Sequence, residues 1–180
     1  MKKAIIAGIS AVFLIVILAI GITMNRTGIK MLEVGDFAPD FTLRSQHNEL
    51  VRLSDFRNKR NVVLYFYPKD DTPGCTAEAK CFRDNYEVFL SLGVEVIGVS
   101  SDSMASHIRF ADKHKLPFIL LSDVDGKVRQ LYGVTKTLFI LPGRVTFVID
   151  KHGIIRHIFS SQFNATKHID EAMAVLKSLD

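Results

Sequence analysis

The two thiols of this chain, Cys75 and Cys81, both lie in the stretch 65–84, YFYPKDDTPGCTAEAKCFRD. Just upstream, Asn61-Val62-Val63-Leu64-Tyr65-Phe66 is an apolar run that ends at Pro68, and a polar loop with Thr72, Pro73 and Gly74 follows. Cys75 then opens a segment of helical composition. That order predicts a thiol on the first turn of a helix, just past the C-terminal end of a buried strand. Free backbone N–H groups and the positive end of the helix dipole gather there and stabilise negative charge on sulfur. A thiolate so placed is a candidate nucleophile. Free cysteines are often inert core residues, but one that follows Pro-Gly in a polar loop has little reason to sit in a core. Thr72, three residues earlier, supplies a hydroxyl that can donate to or accept from a small polar substrate. Pro68 ends the strand and is placed to shield the thiolate from water.

The rest of the chain must hold this stretch in place. Its 180 residues are enough for one domain of ordinary size with a sizeable core. The formal charge of +4 is carried by the first thirty residues, where Lys2, Lys3, Arg26 and Lys30 meet no acid; the remainder is formally neutral. A nucleic-acid binder would need a basic patch on the folded domain, so no nucleic-acid partner is expected. Two cysteines are too few for a disulfide scaffold.

Residues 4–24 carry no charge and are dominated by Ile, Val, Leu, Ala and Phe. At ~1.5 Å per residue this run can cross a ~30 Å hydrocarbon core. It predicts an N-terminal transmembrane signal anchor and linker over 1–30, leaving 31–180 as the folded domain. The other reading is a signal peptide cleaved near Ala19-Ile20-Gly21, with the domain secreted. The short basic N-terminus favours a single-pass protein whose domain lies on the extracytoplasmic (periplasmic) side.

Two short strands are predicted at 41–43 and 50–53, then a central strand at 61–66, rich in β-branched and aromatic residues. A helix is expected over 76–92, with Phe82, Tyr86 and Phe89 as its apolar stripe and Gly93 as its stop. Further strands are read at 94–99 and 118–121, and helices at 103–114 and 127–132. A hairpin joins 145–149 to 154–159 through Asp150-Lys151-His152-Gly153, and an amphipathic helix closes the chain over 166–179. Alternating strands and helices ending in a hairpin plus helix indicate an α/β fold with a mixed sheet.

The spacing Pro68-x-x-x-Thr72-x-x-Cys75 resembles the active-site signature of peroxiredoxins. The longer string YPKDDTPGCTAEA, followed by FRD, is similar to the peroxiredoxin Q or bacterioferritin-comigratory-protein subfamily. The resemblance extends over about 33–180 and includes Gly35-Asp36-x-Ala38-Pro39-Asp40-Phe41 and Gly143-Arg144-Val145-Thr146-Phe147-Val148-Ile149-Asp150. It implies a thioredoxin-like fold with an N-terminal strand extension. It also implies a thiol peroxidase that reduces hydrogen peroxide and organic hydroperoxides and is regenerated by a thioredoxin-like dithiol donor. Cys75 would then be the peroxidatic nucleophile, attacking the O–O bond and becoming a sulfenic acid. Thr72 and the backbone N–H of Cys75 would orient the peroxide, and Arg144 matches the arginine that family members bring beside the thiolate. By subfamily the protein would be a monomer.

Many members of the subfamily carry a resolving cysteine five residues after the peroxidatic one; here that position is Lys80, and the cysteine is Cys81. Ideal helix geometry separates residues six apart by about 10 Å, whereas a disulfide needs Cα atoms within roughly 7 Å. Cys81 is thus either a resolving cysteine reached by unwinding the helix start, or a core residue of a one-cysteine enzyme. A membrane-anchored thioredoxin-like protein for thiol–disulfide exchange would need Cys-x-x-Cys, which is absent. A copper-delivery protein with Cys75, Cys81 and a distant histidine as soft ligands leaves the Thr72-Pro73-Gly74 lead-in without a role. No cofactor or metal is expected. The histidines at 47, 107, 114, 152, 157 and 168 show no metal spacing and most of them read as surface residues, and the loop carboxylates Asp70 and Asp71 read as solvated.

Overall fold

Strand alternation in one segment divides the interior. In β3 (Asn61–Phe66) the side chains of Val63 and Tyr65 enter one apolar cluster, while Val62, Leu64 and Phe66 enter another on the opposite face. A strand buried on both faces reads as a continuous apolar run, which is why 61–66 was legible. The chain is described here from a computed structural model that covers residues 31–134 and 143–179.

Around β3 stand β1 (Thr42–Ser45), β2 (Leu50–Arg52), β4 (Val94–Ser100), β5 (Ile119–Ser122), β6 (Val145–Ile149) and β7 (Ile155–Ser160). They form one sheet in the order β2-β1-β5-β4-β3-β6-β7. β3, β4 and β5 are parallel; every other neighbouring pair is antiparallel. The helices are α1 (Pro73–Asp84), α2 (Tyr86–Ser91), α3 (Met104–His114), α4 (Lys127–Leu131) and α5 (Lys167–Leu176). Phe82 of α1, Phe89 of α2, Phe110 of α3 and Ile169 of α5 join the Val63–Tyr65 cluster, and Val128 of α4 joins the other. This is the expected mixed α/β thioredoxin-like arrangement. The N-terminal extension is the β1–β2 hairpin, added to the sheet edge through β1–β5.

The segment expected as one helix over 76–92 is two. Asn85 leaves the helical region at φ −107°, ψ 6°, and its Nδ2 donates to the Cys81 carbonyl at 2.9 Å. A side chain that bonds its own backbone competes with the helical ladder, and the chain restarts one residue later. The break keeps Phe82 and Phe89 fully buried on either side. The hairpin turn is as read: Asp150 Oδ1 accepts from the N–H groups of His152 and Ile154, and Gly153 takes φ 85°.

Among the described residues no helix is long and apolar enough to cross a membrane. The anchor expected at 4–24 lies outside the described residues.

Candidate active site

The elements converge on Cys75 for simple reasons. The Tyr67 N–H donates to Val99 O at 3.1 Å; Pro68, which has no N–H, then lets the chain leave the sheet. Thr72, with extended backbone, is the N-cap of α1, and Pro73 occupies the first turn, where a missing N–H costs nothing. Cys75 therefore sits in that first turn, 1 % exposed, where unpaired N–H groups and the helix dipole stabilise negative charge on Sγ. The Thr72 hydroxyl donates to Lys69 O at 3.0 Å, which leaves its lone pairs free to accept.

Arg144 arrives through the sheet. Val145 pairs with Phe66, so residue 144 lies beside the chain as it leaves β3. Its Nη2 donates to Cys75 Sγ at 3.3 Å and its Nη1 to Glu78 Oε2. The side chain is 3 % exposed and Glu78 is fully buried. Burial opposes the Arg144 charge, but Glu78 and Cys75 outweigh it, so its pKa is raised. Burial lifts the Glu78 carboxyl to about 8 even with Arg144 alongside.

Sequence reasoning missed four contributors. Glu78 is one. Arg129 donates to the carbonyls of Gly143 and Tyr67 at 2.8 and 2.6 Å and lies over the Phe66 ring. Burial lowers its pKa, while Asp123 first and then Cys75 work the other way, so it is a second cation facing the thiol site. The remaining two are histidines, and here the surface reading is corrected: His107 and His168 are both fully buried. Each finds polar partners inside, which is what makes burial of an imidazole tolerable. The solvated reading of Asp70 is likewise corrected; it is 5 % exposed, accepting from Tyr67 OH at 2.7 Å and lying 2.9 Å from His107 Nδ1. Asp71 is exposed and pairs with Lys113 and His114.

Gly74 makes the arginine's approach possible. A Cβ there would stand 3.2 Å from Arg144 Nη2, and a guanidinium bonded on both arms has little room to retreat. Gly74→Ala is therefore expected to leave the helix as stable or up to about 1 kcal/mol more stable yet slow peroxide reduction roughly tenfold, since small misplacements are costly in rate. Thermal unfolding and stopped-flow peroxide kinetics on the same preparation check the split.

Both cysteines are free thiols. Cys81 is half-buried and packs against the Val63–Tyr65 cluster, and burial first, then Asp170, Asp84 and Glu78, push its thiol pKa up. With α1 continuous between them, the two Cα atoms stand about 10 Å apart, beyond the roughly 7 Å a disulfide spans.

Residues 34–158 match the family model of the AhpC/TSA family. A chloroplastic peroxiredoxin Q of Oryza sativa subsp. japonica is 51% identical over 156 residues, covering 86% of this chain and 71% of the relative. The crystal structure of peroxidoxin BcpB from Mycobacterium tuberculosis aligns with a TM-score of 0.77 at 36% identity, over 83% of this chain and 99% of that one. A bacterioferritin comigratory protein of Xanthomonas campestris, studied for alkyl peroxide reduction, aligns with a TM-score of 0.73 at 29% identity, over 82% and 96%. These likenesses do not favour a copper-delivery or thiol–disulfide exchange protein.

They also correct the expected location. The placement as a single-pass membrane protein with an extracytoplasmic or secreted domain is contradicted by the relatives, which at this level of identity are chloroplastic. The inference rested on the apolarity of 4–24, and apolarity reports a transfer free energy, not an address. Fold, match and relatives agree: the chain belongs to the AhpC/TSA family and, within it, to the peroxiredoxin Q group of thiol peroxidases, enzymes that reduce peroxides at the expense of a thioredoxin-type reductant.

Proposed function

We propose that Cys75 is the peroxidatic residue of a monomeric enzyme whose catalytic domain occupies 31–180. The observation that supports this most strongly is the buried Sγ at the first turn of α1 with Arg144 Nη2 3.3 Å away. The thiolate attacks the nearer peroxide oxygen. The S–O bond forms as the O–O bond breaks, sulfur is oxidised to a sulfenic acid, and the departing oxygen leaves as water or alcohol after taking up a proton. Arg144 and the Cys75 N–H stabilise charge developing on the peroxide oxygens. Thr72 accepts from the peroxide O–H, and Pro68, half-buried at the end of β3, limits access of water to the thiolate.

Cys81 is proposed as the resolving cysteine. Bridging it to Cys75 requires the first two turns of α1 to unwind, and Glu78, between the two thiols, must then leave Arg144. The sulfenic acid removes the anion that Arg144 holds, which weakens the site at the moment resolution is needed. Mass spectrometry after one equivalent of peroxide tests both assignments. The expected result is an intramolecular Cys75–Cys81 disulfide in the wild type, a persistent Cys75 sulfenic acid in Cys81→Ser, and no peroxide consumption by Cys75→Ser. Turnover by Cys75→Ser would overturn the first assignment; a wild type that stops at sulfenic acid would overturn the second.

A further inference from the structure

Where β3 and β6 stop pairing, one side chain holds both strands. Their register ends at Phe66 and Val145; the next residues outward are Tyr67 on one strand and Arg144, then Gly143, on the other. Arg129, half-buried on α4, reaches this gap. Its neighbour Val128 packs in the cluster of Phe66, whereas Cys75 packs in the cluster of Tyr65 on the other face of the sheet. Nη1 of Arg129 donates to Gly143 O at 2.8 Å and Nη2 to Tyr67 O at 2.6 Å. The guanidinium carbon stands 5.7 Å from the centre of the Phe66 ring, the last β3 residue in register. The root of the side chain is fixed as well, because the Asp123 carboxylate accepts from the N–H groups of Val128 and Arg129 at 3.1 and 2.8 Å. A planar fork anchored at its root sets a distance between two carbonyls that a single flexible donor cannot.

That distance bears on the thiol. Tyr67 precedes Pro68, where the chain leaves for Thr72 and Cys75, and Gly143 precedes Arg144, whose Nη2 lies 3.3 Å from Sγ. Gly143 has no side chain for neighbours to grip, so its carbonyl is the handle. We propose that Arg129 is a positioning residue of the peroxidatic centre: by clamping the Tyr67 and Gly143 carbonyls, it holds the backbone of Arg144 against the loop that carries Thr72 and Cys75. The inference rests on the assignment of Cys75 above. Both terminal nitrogens of Arg129 are engaged by carbonyls, and Asp123 faces its charge more strongly than Cys75 does. Its influence on the thiol therefore runs through the backbone and through Arg144.

A double-variant cycle with Arg144 tests this. Arg129→Lys keeps the charge but offers one point donor to two carbonyls. It is expected to slow reaction of the folded, reduced enzyme with hydrogen peroxide about tenfold, within the ~10²-fold that a ~1 Å misplacement can cost. In an Arg144→Met background the same change is expected to cost less than about twofold, because the group being positioned is gone. Alkylation of Cys75 by iodoacetamide at neutral pH is expected to slow in Arg129→Lys, since the thiolate is the reacting form and its donor has moved. Nitrogen-15 NMR of the wild type needs no variant: bonds on both arms hinder rotation, so separate Nη1 and Nη2 signals are expected for Arg129. A wild-type peroxide rate in Arg129→Lys would show that charge alone suffices and would overturn the proposal. So would a tenfold loss repeated in the Arg144→Met background, unchanged alkylation, or a single averaged Nη signal. Alkylation and the nitrogen signals report on Arg129 independently of peroxide turnover, which Cys75→Ser tests, so the two failures are distinguishable.

Discussion

Arg144→Met is expected to slow the reaction of the reduced enzyme with hydrogen peroxide by about 10²–10³-fold, the range typical for removing one preorganised donor to developing oxygen charge. The size follows from where the guanidinium sits. It is 3 % exposed, donates to Sγ at 3.3 Å, and is held from the other side by Glu78. Its charge is therefore little screened by water, and it needs no reorganisation when the peroxide arrives. Methionine has comparable length and no charge, so the packing is largely kept. The fold is expected to tolerate the change because the Glu78 carboxyl, already raised to about 8 by burial, becomes a still weaker acid and leaves no bare anion. Arg144→Lys is expected to recover only part of the rate, since a point charge cannot donate to Sγ and Glu78 in the same fork geometry. Rapid-quench mass spectrometry of Cys75 sulfenic acid provides the rate; wild-type kinetics in Arg144→Met would remove the arginine from the chemistry.

How much of this could be read beforehand depends on how local each signal is. Pro68, Thr72 and Cys75 are close in sequence and are placed by one strand end and one helix start, so their spacing alone located them. Arg144 is 69 residues from Cys75 and comes beside it only because β6 pairs with β3. Nothing in the residues around it distinguishes it from a surface arginine, and only the family resemblance pointed to it. Glu78 carried a signal that went unused. The buried residues of α1 are Cys75, Glu78, Ala79 and Phe82, the i, i+3, i+4, i+7 stripe of an amphipathic helix, and a carboxylate on that stripe has to be paired or neutral. His107, beside buried Phe110 and Ala111 in α3, and His168, beside buried Ile169 and Ala172 in α5, carry the same signal. Asp70 had none, because a loop has no periodicity. The break at Asn85 was hidden for a different reason: the apolar stripe continues across it, and a one-residue interruption leaves the pattern intact.

Asp70 nevertheless governs the loop that presents Thr72 and Pro68, and its removal is the second large effect expected. Between β3 and α1 the chain must turn sharply; Asp71 takes φ 57°, which is unfavourable for a residue with a side chain. What holds the turn is buried and polar. Asp70 Oδ1 accepts from Tyr67 OH, Oδ2 lies 2.9 Å from His107 Nδ1, and its own N–H donates to Asp102 Oδ2, which also accepts from Ser100 Oγ. Asp70→Ala takes the acceptor from the Tyr67 hydroxyl and the partner from His107 Nδ1, leaving the ring only its Nε2 contact with Leu121 O, and both residues are almost fully buried. Leaving two buried polar groups short of a partner costs about 1–3 kcal/mol each, and in a domain of this size that lowers Tm by roughly 10 °C. Asp70→Asn keeps one acceptor oxygen in place and is expected to lose about half as much. Tyr67→Phe separates the two bonds: if they act as a unit, the double variant Tyr67→Phe/Asp70→Ala is less destabilised than the sum of the singles. A Tm for Asp70→Ala within about 2 °C of wild type would show that the turn is held by the strand and helix at its ends. A large loss of stability with an equally large loss of peroxide reduction in the still-folded fraction would show that the geometry of Thr72 above Cys75 is set from beneath, by a carboxylate that never touches the substrate.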